Sequence, residues 1–137
     1  MSVIDHVEIA VKDAERSRRF YEQALAPLGF NLVITVNPAN TRTGGFRHGL
    51  GPDGYPRLWL HDHDKAGSPV HLAFSTEKRI IVDQFWEAAL QAGGQDNGAP
   101  GIRHHYHDNY YAAYIFDPDG NNLEVVCQIK NEKRRQI

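Results

Sequence analysis

The chain has 137 residues, the size of one domain, and its 41% hydrophobic and 23% charged residues are those of a folded globular protein. Lys and Arg number 15 against 17 Asp and Glu, a formal charge of −2 that argues against a nucleic-acid or membrane partner. No apolar run approaches the roughly 18 residues of a membrane span and no signal pattern opens the chain. The single cysteine, Cys127, excludes an intrachain disulfide, so a cytoplasmic protein is expected.

Taken in chain order, Val3, Val7, Ile9 and Val11 include an alternating apolar run with His6, Glu8 and Ala10 on the other face, which predicts a strand. Asp13 is the expected N-cap of a helix, its carboxylate accepting from free first-turn amides. Phe20, Ala24 and Leu25, with Tyr21 beside them, form the apolar stripe, and Pro27 and Gly29 end the helix. Phe30 to Val36 and Gly44 to His48 predict strands, and Gly51-Pro-Asp-Gly54 predicts a tight turn into a strand over 57–61. In the second half, Val70, Leu72 and Phe74 alternate with His71, Ala73 and Ser75. Thr76 is the expected cap, and Ile81, Phe85, Ala88, Ala89 and Ala92 keep a helical period as far as Gly93-Gly94. Residues 95–109 are turn-rich and irregular, with room for one short strand. Strands over Tyr110 to Phe116 and Asn122 to Ile129 are expected to flank the turn Asp117-Pro-Asp-Gly120. The basic end, 130–137, has no apolar periodicity and is expected to fray.

Sliding the sequence against itself shows why the two halves read alike. At an offset of 65, His6 meets His71, Phe20 meets Phe85, Glu22 meets Glu87, Ala24 meets Ala89, Leu25 meets Leu90 and Gly29 meets Gly94. Composition alone accounts for about one or two identities over that stretch. The unit is a strand, a helix and about three strands, occurring twice: module 1 over about 1–64 and module 2 over about 68–129. One unit leaves a sheet face uncovered, so two must pair to close a cavity. The expected fold is α+β, a single domain of two paired βαβββ modules whose curved mixed sheets surround that cavity.

Side-chain alternation then places the chemistry. Val7, Ile9 and Val11 face the helix, so His6 points into the cavity, and by the same phase so does His71. Leu123 and Val125 are the packing set of the last strand, which leaves Glu124 inward. The offset maps Trp59 onto Glu124. Two imidazoles and one carboxylate on three strands of a concave surface suit a facial metal triad with open positions. The alternative is that each histidine is a satisfied core residue. An inward carboxylate without a cation or a hydrogen-bond donor costs several kcal/mol, so Glu124 needs one or the other, and both readings stand at this point.

These residues also carry a family likeness. The repeat, Asp5-His6-Val-Glu-Ile-Ala-Val11, Phe20-Tyr21, Ala26-Pro-Leu-Gly-Phe30, Val70-His-Leu-Ala-Phe74 and Asp117-Pro-Asp-Gly-Asn-Asn-Leu-Glu124 together resemble the vicinal oxygen chelate superfamily over residues 3–128. That superfamily comprises glyoxalase I, extradiol ring-cleaving dioxygenases, fosfomycin-modifying enzymes and bleomycin-binding proteins. The resemblance implies paired βαβββ modules with metal ligands on their first and last strands, here His6, His71 and Glu124, with Trp59 at the fourth position. An indole N–H offers no lone pair, so Trp59 departs from the four-ligand glyoxalase I pattern. The implied chemistry is bidentate binding of adjacent substrate oxygens by one divalent ion (iron, manganese, zinc, nickel or cobalt), with Glu124 also catalytic.

The sequence reading is therefore a metal-dependent glyoxalase-like enzyme of the lyase or isomerase type, acting on a small oxygenated molecule. Its alternatives are an extradiol-type dioxygenase and a non-catalytic drug-binding protein of the bleomycin-resistance type. Trp59 and Tyr111 are expected to shape the pocket, Tyr111 sharing a cavity face with Ala113. His61 and His63 continue the inward phase of Trp59; His61 either reaches the cavity rim as an acid–base group or substitute ligand, or is a solvated strand end beside Asp62 and Asp64. His105 and His107 lie in an aromatic-rich run, His104 to Tyr111, that is either a lid with a proton shuttle or an exposed loop. Cys127 reads as a small core residue. A homodimer is expected, because open sheet edges invite pairing. No phosphate-binding glycine loop, GxSxG elbow or cysteine-rich zinc motif is present.

Overall fold

The computed structural model describes residues 3–40 and 44–130, so the end expected to fray lies, apart from Lys130, outside the described residues. Module 1 contains β1 (Val7–Ala10), α1 (Ala14–Ala24), a 3-10 turn (Ala26–Leu28), β2 (Asn31–Val36), β3 (Arg47–Gly51) and β4 (Leu58–His61). Module 2 contains β5 (His71–Ser75), α2 (Arg79–Gln91), β6 (Gln95–Ile102), β7 (Tyr111–Phe116) and β8 (Asn122–Cys127). They form two separate four-stranded sheets, ordered β1-β4-β3-β2 and β5-β8-β7-β6. This is the α+β, twice-repeated βαβββ architecture expected from the sequence.

The repeat extends to register. In each module the first strand pairs in parallel with the last: Val7 opposes Leu58 in one, and Leu72 opposes Leu123 in the other. The remaining pairs are antiparallel. Leu58, Leu60, Leu123 and Val125 are buried under the helices with Phe20, Tyr21, Phe85 and Ala89. Each such large apolar side chain contributes roughly 1.5–3 kcal/mol on burial. Helices α1 and α2 pack on one another, so the modules meet through their helical layers.

Polar groups reinforce that joint. The Asp117 carboxylate, buried, accepts the amides of Asp119 and Asn121, the Asn121 side-chain amide and the Tyr21 hydroxyl. One step along the same turn, Asp119 accepts from the Lys12 amide, Arg16 and the Ser17 hydroxyl. The turn of module 2 is thereby fastened to the start of α1 in module 1.

Three local details differ from the sequence reading. Asp13 caps α1 by accepting from the Arg16 amide at 3.0 Å, as expected, but Thr76 does not cap α2. That helix starts after its N-cap Lys78, and Thr76, two residues earlier, accepts the Lys78 amide at Oγ1 at 3.3 Å. The strand expected at 44–48 begins at Arg47, where pairing with β4 starts. Residues 95–102 form an eight-residue strand whose two register shifts disguise its alternation.

The repeat-matched glycines are required for different reasons. Gly29 sits at φ +80 with open space around its α-carbon, so it supplies a left-handed helix end. A side chain at Gly94 would place its Cβ 2.6 Å from Ile115 Cγ2 and 3.0 Å from Phe20 Cε1. Gly94→Ala is therefore expected to destabilise by about 1–3 kcal/mol through overpacking, read as a lower urea midpoint. Tyr21→Phe should cost a similar amount, about 1–3 kcal/mol, by leaving an Asp117 oxygen short of a donor. Burial, then the neighbouring Asp117 carboxylate, raise the Tyr21 phenol well above its ordinary value. Its contribution is intact below about pH 10, where the unfolded phenol is still protonated, and is lost as pH rises from there toward the folded value. Denaturation from pH 7 to 11 should accordingly show a shallower alkaline loss in Tyr21→Phe than in the parent.

Candidate functional site

Because β1/β4 and β5/β8 are parallel with matched registers, one face of each sheet carries the polar set. Glu8 and Trp59 are partners across β1/β4, and Ala73 and Glu124 across β5/β8. His71, at the start of β5, lies close enough to reach back: its Nε2 is 2.9 Å from Glu124 Oε1. The Glu124 side chain is only 3% exposed, whereas His71 is 53% exposed, so the imidazole shields a buried charge from solvent. The Tyr110 hydroxyl donates to Glu124 Oε2 at 2.5 Å. Burial first, then Glu124, push the Tyr110 phenol well above its ordinary value and Tyr114, the cross-strand partner of Glu124, up to about 12. Both phenols therefore remain donors at neutral pH. Neither was singled out from the sequence; the pairing of β7 with β8 is what sets Tyr114 opposite Glu124.

His6 lies just before β1. Its Nδ1 is 2.8 Å from Asp5 Oδ2, a carboxylate also held by Tyr55 and Arg57. The Tyr55 hydroxyl, then His6, hold Asp5 below the usual carboxylate range. An ionised Asp5 accepts a hydrogen bond from Nδ1–H of His6, which turns Nε2 outward as the ring's ligand nitrogen, the arrangement common behind metal-bound imidazoles. His6 and His71 line one open cleft of about 570 Å³, together with Arg57, Phe30, Leu72 and Phe74.

The donors fit a divalent ion in kind. His71 and Glu124 are already at about the 2.9–3.4 Å separation of two ligands on one first-row metal. Within one chain, however, His6 does not join them. Among the described residues, the three-residue group of histidines and carboxylates with ligand atoms within 4.8 Å of one another is Glu8, His61 and His63. The expected triad is split between the two sheets, since these do not pair with each other.

The remaining expected pocket residues separate in the same way. Trp59 lies over Gly49, where a Cβ would come within 2.9 Å of its ring, and the Arg47 guanidinium stacks 3.9 Å above it. Trp59 is not among the residues that line the cleft of His6 and His71. His61 is no solvated strand end: it is buried, with Nδ1 2.6 Å from Glu8 Oε2. Arg47 pairs with both Glu8 oxygens at 3.0 and 2.9 Å and holds that carboxyl below its usual range.

Tyr111 is a correction. It shares a face with Ala113 as expected, but that is the helix face, where its hydroxyl donates to Asp83 of α2 at 2.6 Å. Tyr114, opposite Glu124, takes the inward position instead. His107 accepts the Asn109 amide at Nδ1, so its Nε2–H donates to Gln128 at 3.0 Å and neither nitrogen is free to shuttle protons. His105 is exposed, its ring 4.2 Å from Tyr106, which in turn packs on Tyr110. Sequence signals for the missed residues existed: Glu8 is two positions from His6 on the same face, and His63 two from His61.

No helix among the described residues is long and apolar enough to cross a membrane. A search of the curated proteins found no match. Solved structures do match. A glyoxalase/bleomycin resistance protein from Albidiferax ferrireducens has 25% identity and a TM-score of 0.69, covering 92% of this chain and 98% of that one. A glyoxylase/bleomycin resistance protein/dioxygenase domain from Frankia shows the same fold at 20% identity and TM-score 0.71, covering 93% and 98%. Glyoxalase I from Zea mays also shares it, at 19% identity and TM-score 0.69; there 93% of this chain spans 45% of the other. The family model for the glyoxalase/bleomycin resistance protein/dioxygenase superfamily matches residues 3–125. With that match over nearly all of two modules built on the same register, the chain belongs to the glyoxalase/bleomycin resistance protein/dioxygenase superfamily.

Proposed function

We propose that the chain is a metal-dependent glyoxalase-like enzyme acting on a small oxygenated substrate, with its site completed between two copies. The observation that carries this reading is the His71–Glu124 pair at 2.9 Å, two donors at ligand spacing on a buried carboxylate. His6, its Nε2 left free by Asp5, is the third donor, supplied by the other copy. Strands β1 and β5 are edge strands, each paired on one side, so a second copy can bring one beside the other. The single, buried Cys127 suits a reducing, cytoplasmic setting.

A bound divalent ion (iron, manganese, zinc, nickel or cobalt) would chelate two adjacent substrate oxygens and stabilise negative charge developing on them. The protein's own groups do the rest. Glu124 serves as the base at a carbon next to the substrate carbonyl, and the Tyr110 and Tyr114 hydroxyls hold that carboxylate in one orientation. Phe30, Leu72 and Phe74 form the apolar wall that excludes water from one side of the cleft. That same wall favours a second reading, a metal-free protein that sequesters an aromatic ligand.

Elemental analysis of protein without a histidine tag tests the proposal. Glu124→Ala and His71→Ala should each lose an ion per chain relative to the parent. His6→Ala should lose the same ion, and co-expression of His6→Ala with His71→Ala should restore part of it, since one site of each mixed dimer is then intact. Full occupancy in Glu124→Ala would overturn the assignment. Tight binding of an aromatic ligand by metal-free parent protein would favour the sequestering reading. Oxygen uptake with catechols would point to dioxygenase chemistry, and turnover of thiol adducts of α-ketoaldehydes to the lyase type.

A further inference from the structure

One row of residues crosses all four strands of the second sheet. Gly98 on β6 pairs with Tyr114 on β7, Tyr114 with Glu124 on β8, and Glu124 with Ala73 on β5. Cross-strand partners share a face, and Leu123 and Val125 turn to the helices, so the row lies on the opposite face. Arg103 lies over its β6 end. A Cβ at Gly98 would fall 3.0 Å from both Arg103 Nη2 and Tyr114 Cδ1, so the guanidinium occupies space that a side chain at 98 would fill. Its carbon is 5.2 Å from the Tyr114 ring centroid, within reach of a cation–π contact.

This guanidinium is held in place without being neutralised. Nη1 donates to the Gly101 carbonyl and Nη2 to that of Ala99, each at 2.9 Å. Both carbonyls lie where the register of β6 shifts, between Gly98 and Gly101. Carbonyl dipoles orient a cation but do not cancel its charge. The other guanidinium N–H groups have no protein acceptor among the described residues, and no carboxylate there pairs with Arg103. Arg47 and Arg57, by contrast, are paired with Glu8 and Asp5.

We propose that Arg103 anchors a carboxylate of the substrate, at the far end from the oxygens bound at the His71–Glu124 centre, an assignment that rests on the function proposed for that centre. Gly98 and Glu124 are two strands apart, roughly 10 Å between backbones, and both side chains above them reach inward, so a chain of a few carbons spans the gap. The ring of Tyr114 is the floor between the two ends. One arginine balances one negative charge, which suits a carboxylate over a doubly charged phosphate, and its planar fork matches the two carboxylate oxygens. The substrate class is therefore a small oxo or hydroxy acid with a second, distal carboxylate.

Two measurements separate this anchor from the metal reading. The first follows the Arg103 Nε–H resonance by NMR in metal-free parent protein, assigned by its loss in Arg103→Gln. Hexanoate should shift it saturably, and hexanamide, uncharged and of the same size, should not. The second compares α-ketoadipate with α-ketohexanoate on zinc-loaded protein; both share the chelating end, but the latter has a methyl in place of the distal carboxylate. α-Ketoadipate should bind roughly tenfold or more tightly. Arg103→Gln should remove that difference and leave α-ketohexanoate binding unchanged, while Arg103→Lys should keep part of it. A hexanoate shift in a protein that binds no zinc upholds the anchor and overturns the metal reading instead. A resonance unmoved by hexanoate overturns the proposal. So does an α-ketoadipate preference that is absent from the zinc-loaded parent, survives Arg103→Gln, or vanishes with Arg57→Gln instead.

Discussion

Every side chain discussed above takes its place from one constraint: in each module the first strand pairs in parallel with the last, and the pleat turns alternate residues to opposite faces. Once Val7 lies beside Leu58, Glu8 must lie beside Trp59, and the buried leucines can satisfy the helices only if the polar set faces the other way. The same holds for Leu72, Leu123 and Glu124. A slip of one residue would bury Glu8 and Glu124 under helices and expose four core residues, at a cost of many kcal/mol. The hydrophobic core therefore sets the register, and the register sets the chemistry.

The two modules share this frame but diverge in what it presents. Position for position, the buried, hydrogen-bonded Glu124 of module 2 corresponds to Trp59 of module 1, an indole capped by Arg47. Two residues on, module 1 has what module 2 lacks, a carboxylate-backed pair of stacked imidazoles. The divergence is possible because the main core cluster lies on the helix face of each sheet. Burial disciplines that face, where Phe20 and Phe85 occupy equivalent core positions. Even there, Gly29 and Gly94 coincide in sequence and differ in cause, one backbone conformation and the other crowding.

Polar contacts between modules complete the picture. The turn that starts β8 is organised around the buried Asp117 and reaches α1 through Tyr21 and Asp119. The loop before β7 packs Tyr106, tilted, and His107, edge-on, against Tyr110, whose hydroxyl holds Glu124. Aromatic and histidine residues that read from the sequence as either a lid or an exposed loop thus buttress the tyrosine that holds the buried carboxylate. His107 has both ring nitrogens engaged in that role.

The sequence by itself determined the repeat, the βαβββ order and the helix-facing set, with Glu124 on the opposite face of its sheet. Those follow from period-2 and period-3.6 patterns that local chain geometry enforces. It also marked Asp13 as a cap, since a carboxylate before an apolar stripe has a local partner in the first turn. Only the tertiary structure decided which inward residues meet. The sheets do not pair with each other, so His6 parts from Glu124, and the end of β4 brings His61 to Glu8 across 53 residues. The unbroken antiparallel register of β7 on β8 decided that Tyr114 rather than Tyr111 faces Glu124. Distances between strands far apart in sequence depend on packing and pairing, which no local pattern encodes.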